Sequence, residues 1–469
     1  MLGEFVEGLV AELDGAEVDG GLKGESGCPC EVILRGRRRE LFRQTGRDHR
    51  DPHFDEATHS CSMAAPTEAQ DLGSLTSQGV PMDDRTSEDG EHAMMGPNAE
   101  LLESKKKMVS GTYLRNAWYV AAWSEDLEDG QLLGRTILKQ AIVFYRKSDG
   151  KIAALQDRCP HRFAPLHMGK VVRGDCLQCP YHGLEFDASG ACVHNPHGSR
   201  NIPSRASVRS YPVIEKHKAI WIWMGERPAD ASKVPDFSVL DNVPQIHSTK
   251  RDRITIRANY ELVIDNLLDL SHTSYLHEGI LGNQETVESE IAIEQEGDDV
   301  VVSRHAHDAT APGLFTILMP SDPGRVDKFT RMRWMPPSNL RLVTGICLPK
   351  ATPESGTGYH AIHMLTPETD RTTHYFFTAV RFNVLTSDDA LNAQIQDKIS
   401  ATRRFAFEEQ DAPVIEAQQE IIDAAETSVD PIILAIDVGP VRYKKVLQKL
   451  IRAEQSSCQT MEDGRQRTE

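Results

Sequence analysis

The chain has 469 residues, with 52 Lys and Arg against 70 Asp and Glu, giving a formal net charge of −18. That length accommodates two or three domains with buried cores, and the acidic balance argues against nucleic acid as the main partner. No apolar run approaches the roughly 18 residues a membrane helix needs, and the opening MLGEFVEGLVAELDG lacks the basic and apolar regions of a secretory signal, so a cytoplasmic setting is expected. Nine cysteines, an odd number spread unevenly, do not read as a disulfide framework.

In chain order, residues 1–107 pass from RGRRR into polar and acidic stretches such as TSQGVPMDDRTSEDGEH, with no sustained period of 2 or 3.6. This reads as a disordered extension, or as sequence upstream of the true start, because dense apolar patterning begins just after Met108. Cys28-Pro-Cys30 lies in it without a histidine or a second pair, a weak metal signal. From 108 to 227 the pattern is short strands, AIVFYR, IAALQD, LEFD and IWIWMG, separated by turn formers, as in a small all-β domain. Residues 228–455 change character. A helical segment, NYELVIDNLLDLSHTSYLHEG, precedes the strands DVVVSRH, NLRLVTGICLP, GYHAIHMLTPE and THYFFTAVRF. A long helix follows from about Asp388 to Ile422, then a final one, VRYKKVLQKLIRAEQ, ending near Gln455 before a charged tail, 456–469. The order predicts an α+β second domain with helices on an antiparallel sheet.

The first metal constellation is Cys159-Pro-His161, then seventeen residues, then Cys179-Pro-Tyr-His182. Structural zinc sites usually pair cysteine with cysteine and histidine with histidine in sequence. A Rieske [2Fe–2S] centre binds one iron through two cysteines and the other through two histidines, so one of each per loop suits it better. Cys176 and His167 lie in the same stretch but off ligand spacing, and read as a buried small hydrophobe and a loop histidine.

The second constellation is Asn266, Asp269, His272 and His277. Five residues turn an ideal helix so that the two imidazoles diverge by about 140°, and they meet on one ion only if the helix ends or distorts between them. Two histidines and a carboxylate make the facial triad of non-haem iron oxygenases. Glu408, Glu409, Asp411 and Glu416 in FAFEEQDAPVIEAQQ are all candidates for that carboxylate, and periodicity does not choose among them.

Together, RNAWYVAAW, CPHRFAPL, QCPYHGLEFD, NLLDLSHTSYLH, HMLTPETD and EEQDAPVIEAQQ resemble the Rieske non-haem iron oxygenases, specifically oxygenase components of the vanillate and dicamba O-demethylase type. The resemblance implies an all-β Rieske domain followed by a helix-grip catalytic domain. It makes Cys159, His161, Cys179 and His182 the cluster ligands, and His272, His277 and Asp411 the ligands of a mononuclear Fe(II). Asp269 matches a carboxylate bridging to a cluster histidine of a neighbouring subunit in a homotrimer, Asn266 a side chain close to the iron, and His363 a substrate-facing histidine, with Leu342 and Thr402 beside it. The implied reaction is O2-dependent O-demethylation of a methoxylated aromatic, with NADH electrons delivered by a separate reductase or ferredoxin. N-dealkylation of anilides and ring hydroxylation are the neighbouring alternatives. A non-catalytic Rieske carrier or a zinc-stabilised binding module would lack the second site.

Overall fold

The computed structural model describes residues 108–466, apart from 320 and 428. The expectations for 1–107, including the Cys28 and Cys30 pair, lie outside the described residues.

The first domain is all-β, built from three small antiparallel sheets. Trp118–Trp123, Ala219–Trp223 and Val213–Lys216 form one, and WYVAAW earns its place by being buried at every position. Leu132–Ile137, Gln140–Arg146, Ile152–Gln156 and Ser210–Tyr211 form the second. Two hairpins turn on residue pairs with positive φ, Leu138-Lys139 (48° and 65°) and His217-Lys218 (53° and 61°). This is the turn geometry that matches strand twist, reached here without the usual Asn-Gly pair. The third sheet, Lys170–Val172, Cys176–Gln178, Glu185–Phe186 and Cys192–His194, carries the Cys179 loop.

The second domain is one seven-stranded antiparallel sheet with helices packed on it, as expected. Its strand order is Asp252–Ile256, Thr373–Phe382, Thr357–Pro367, Asn339–Cys347, Arg325–Met335, Asp299–Thr310 and Glu290–Glu296. Alternation sorts the two faces. Trp334, Leu340, Tyr375 and Phe377 meet the helices α1 (Tyr260–Leu268), α2 (Asp389–Phe405), α3 (Ala412–Ala424) and α4 (Val438–Gln466). Ile362, Met364 and Phe376 point the other way, into the tryptophans of the first domain.

Two helices differ from expectation in ways that matter. α1 is capped by Asn259, whose side chain accepts from the Glu261 N–H, but it ends at Leu268, and Asp269 is extended (φ −82°, ψ 91°). The segment expected to be helical through Gly279 instead continues as a short turn, His272–Ser274. The expected long C-terminal helix is continuous from Asp389 to Ala424, with a π-helical turn, Ala406–Asp411, between α2 and α3. Within it the Ala412 N–H bonds the Phe407 carbonyl, five residues back. Pro413 explains the change of winding, since it has no N–H for the Glu409 carbonyl and its ring would crowd that group. α4 runs on to Gln466, beyond the expected end near Gln455.

Candidate functional site

The two cysteine–histidine loops share one backbone design. In each, the cysteine carbonyl accepts from the N–H four residues on (Phe163 to Cys159, 2.9 Å; Gly183 to Cys179, 3.1 Å). In each, the cysteine N–H donates to the carbonyl five residues on (Ala164, 2.9 Å; Leu184, 2.8 Å). Such a turn needs a left-handed residue at its fourth step, supplied by Phe163 (φ 60°) and Gly183 (φ 71°). The thiols of Cys159 and Cys179 are buried and adjacent. Burial, opposed by loop N–H groups and helped by the neighbouring Cys179, pushes Cys159 up to about 11. The rings of His161 and His182 lie edge to face, with centroids 4.7 Å apart.

Sulfur beside sulfur and imidazole beside imidazole is the arrangement a [2Fe–2S] cluster requires. A tetrahedral zinc would draw all four donor atoms to within about 4 Å of one another. Among the described residues, however, the one set of three or more such donors within 4.8 Å is His272, His277 and Asp411. Nδ1 of His182 is buried without a hydrogen-bond partner, as a ligand nitrogen is before its metal is counted. Its carbonyl accepts from His197 Nε2 at 2.8 Å. Cys176 turns to the Gly174 carbonyl (3.7 Å) and His167 to buried Asp157, so neither joins the four donors.

The second site forms because α1 stops. Freed from the helix, His272 and His277 approach each other (ring centroids 5.1 Å) and face Asp411 Oδ1 at 3.7 and 3.2 Å from their Nε2 atoms. Each outer nitrogen is held. His272 Nδ1 donates to the Asp269 carbonyl. His277 Nδ1 donates to Gln410 Oε1 at 2.8 Å, while the amide nitrogen of Gln410 is fixed on the Leu276 carbonyl at 2.9 Å. Both Nε2 lone pairs are thereby directed at one point, the arrangement metal-ligating histidines use. Asn266 Nδ2 donates to Asp411 Oδ1 at 3.0 Å. Burial lowers the pKa of His272. For His277 burial also opposes the charge, but the hydrogen bond and charge of Asp411, with Gln410 behind, outweigh it and raise the pKa. Of the four carboxylates offered by the helix, Asp411 is the one brought to the histidines. Glu416 pairs with Arg257 and Glu408 with Arg404.

The triad sits in a narrow cavity of ≈ 80 Å³ between the helices and one sheet face. Alternate residues of three strands line it: Lys328, Thr330 and Met332, then Leu342 and Thr344, then Tyr359 and His363. Leu342 is thus where the sequence put it. Thr402 is buried but does not line the cavity; its neighbour Arg403 does. His363 is buried, its Nδ1 2.6 Å from the Tyr375 hydroxyl. The residues that sequence reasoning missed are Gln410, Arg403 and Lys328, whose roles depend on contacts with no sequence period. A larger groove of ≈ 710 Å³ on the opposite sheet face, around His305 and His360, contains none of the triad.

Comparison with known proteins agrees with these sites. Residues 117–212 match the Rieske [2Fe-2S] domain, and 256–453 match the vanillate O-demethylase oxygenase C-terminal domain. The chain is 34% identical over 345 residues to the oxygenase component of chloroacetanilide N-alkylformylase from Rhizorhabdus wittichii, covering 73% of this chain and 97% of that one. It is 36% identical over 361 residues to the dicamba O-demethylase oxygenase component of Stenotrophomonas maltophilia, covering 73% and 99%. The crystal structure of dicamba monooxygenase with non-haem iron and dicamba matches with a TM-score of 0.60 at 33% identity, over 74% of this chain and 99% of that one.

Proposed function

The chain belongs to the Rieske non-haem iron oxygenases of the vanillate O-demethylase type, and from that premise we propose that it oxidatively removes a methyl group from a methoxylated aromatic compound. It is an oxidoreductase, the oxygenase component of a multicomponent system, with a Rieske cluster and a mononuclear iron as cofactors. When bound, the cluster supplies electrons one at a time and the iron supplies dioxygen activation.

The observation that carries the reading is the convergence of His272, His277 and Asp411 at the wall of a largely apolar cavity. Those three residues would hold an iron from one side, with the cavity they line on the other. The Asp269 carbonyl and Gln410 orient the two imidazoles, and Asn266 holds the Asp411 carboxylate. Leu270, Leu281, Met332, Leu342 and Phe407 keep the cavity apolar, while His363 orients the substrate. The overall balance is ArOCH₃ + O2 + NADH + H⁺ giving ArOH + HCHO + NAD⁺ + H₂O, the methyl carbon leaving as formaldehyde from an unstable hemiacetal. Electrons arrive through a ferredoxin or ferredoxin reductase in the cytoplasm. Among the described residues no helix is long and apolar enough to cross a membrane.

In a homotrimer of the kind the family implies, the Asp269 carboxylate links the iron site of one chain to a cluster histidine of the next. The Asp269 link to His272 runs through the backbone carbonyl, so Asp269→Asn should retain both metals and lose turnover; normal turnover would remove the bridging role. Formaldehyde release matched to oxygen uptake, with a surrogate reductase and methoxylated benzoates, tests the reaction itself. The similarity to the chloroacetanilide enzyme favours a second reading, N-dealkylation of anilides, which the same assay detects with N-alkyl anilide substrates.

A further inference from the structure

The lining of the cavity beside the triad holds one primary amine, that of Lys328, on the strand Arg325–Met335. The residue is half-buried. Among the described residues its Nζ makes one hydrogen bond, to Thr330 Oγ1 at 3.2 Å, and it lies 5.3 Å over the Phe315 ring. An ammonium group has three donors to satisfy, and withdrawn from water it needs a counter-charge. Here no carboxylate pairs with it among the described residues, and the neighbouring charge is the Arg304 guanidinium. Desolvation in the cavity wall, with Arg304 adding to it, pushes the Lys328 pKa down to about 7. Near neutral pH a large share of the chains therefore carries a free amine at this position.

Other lysines of the fold are answered differently. Lys444 bonds the Asp265 carboxylate at 2.6 Å and the Met108 carbonyl at 2.8 Å, Lys147 pairs with Asp149 at 3.1 Å, and Lys139 pairs with Asp370. A desolvated lysine next to a second cation is the setting in which its amine attacks carbonyl carbon. Lys328 meets both conditions, and its amine lines the same cavity as the triad.

We propose that Lys328 is a modification site for the enzyme's own product: its amine condenses reversibly with the formaldehyde released in the cavity, and the adduct slows further turnover. This rests on the dealkylation reading above, which supplies the aldehyde. In the first step the nitrogen forms a bond to the formaldehyde carbon and an amine proton passes to the carbonyl oxygen, so that Lys–NH₂ + HCHO gives Lys–NH–CH₂OH. Loss of water then gives the imine, Lys–N=CH₂. Neither step consumes an oxidant or a reductant, and water reverses both. The added carbon is small, but in a cavity of ≈ 80 Å³ it takes space that the substrate needs.

The test is reductive trapping. The metal-loaded enzyme is treated near neutral pH with dilute formaldehyde and cyanoborohydride, which fixes each imine as an N-methyl group, and peptide mass mapping reads the methyl at each lysine. Lys328 should be methylated at least about tenfold faster than the exposed Lys151 and Lys250. An amine near 7 is free about a thousand times more often than one at the usual lysine value of about 10.4, and slower entry into the cavity takes back part of that advantage. Turnover of methoxybenzoates isotopically labelled in the methyl carbon, with a surrogate reductase and cyanoborohydride, should place the label on Lys328. Added formaldehyde should slow oxygen uptake reversibly, and Lys328→Met, compared with itself without formaldehyde, should escape most of that slowing. Near-ultraviolet circular dichroism checks packing in the variant, and if it does not fold, the labelling of the unaltered chain carries the test. Lys328 methylated no faster than Lys151, or equal slowing of the folded variant, would overturn the proposal and leave dealkylation standing. Labelled formaldehyde released to solution with none on Lys328 would do the same. Formaldehyde from none of the methoxylated compounds removes dealkylation, and the capture of product with it.

Discussion

His277 and His272 are oriented by unlike means, and the difference separates what mutation can reach from what it cannot. The Nδ1 of His272 is held by a backbone carbonyl, that of Asp269, which no side-chain substitution removes. The Nδ1 of His277 depends on the Gln410 amide. Gln410→Ala should therefore weaken iron binding by about 10- to 100-fold, the usual consequence of removing the partner of a ligating histidine. Iron content after dialysis against a graded chelator measures it, and full retention of iron would mean that the ring is fixed by packing alone. The pairing of Cys159 and His161 with Cys179 and His182 was legible at this scale because each short loop holds one cysteine and one histidine. Gln410 was not, because a glutamine between two acidic residues and a proline has no distinguishing sequence signal.

Among the elements, the helix from Asp389 to Ala424 shows how a single departure from regular winding builds a site. α2 must bury Ile395 and Ile399, and α3 must bury Ile415 and Ile422. The π turn between them absorbs one extra residue, so both faces stay buried while Phe407 and Asp411 enter the cavity. Deleting the exposed Glu409 should restore regular winding, keeping the buried faces of both halves in register while removing the bulge that turns Asp411 towards the histidines. Helical content by far-ultraviolet circular dichroism should persist while iron affinity falls by at least about tenfold. Retained iron would show that Asp411 does not depend on the turn. The presence of this helix was readable from its pattern, and so was the need for the histidine helix to break. The strand Arg325–Met335 was not foreseen, since its alternation is filled on one side by Arg325, Asp327, Arg331 and Arg333 and reads as a charged loop.

Over the whole molecule, the two domains share a core. Trp118, Trp123, Trp221 and Trp223 pack with Ile362, Met364 and Phe376 of the large sheet, and Trp123 Nε1 donates to the Asp252 carbonyl at 3.0 Å. Backbone bonds from Leu138 to Pro367 (2.8 Å) and Lys139 to Glu368 (2.9 Å) add to the junction. Trp123→Ala should cost about 3–5 kcal/mol, as for other large aromatic truncations. Because the lost contacts belong to both domains, calorimetry should show one transition lowered as a unit. Two separated transitions would mean that the domains fold independently.

The sequence by itself determined which two cysteines and two histidines come together in the first domain, which two histidines meet a carboxylate in the second, and an α+β second domain behind an all-β first. Those follow from residue type and short spacing, which are local. Only the tertiary structure decided which carboxylate reaches the histidines, which amide steadies His277, and which basic side chains line the cavity. Asp411, Gln410, Lys328 and Arg403 reach the cavity from segments far apart in the chain. Their convergence is set by where a helix stops, where another is underwound, and which face of a sheet each strand presents.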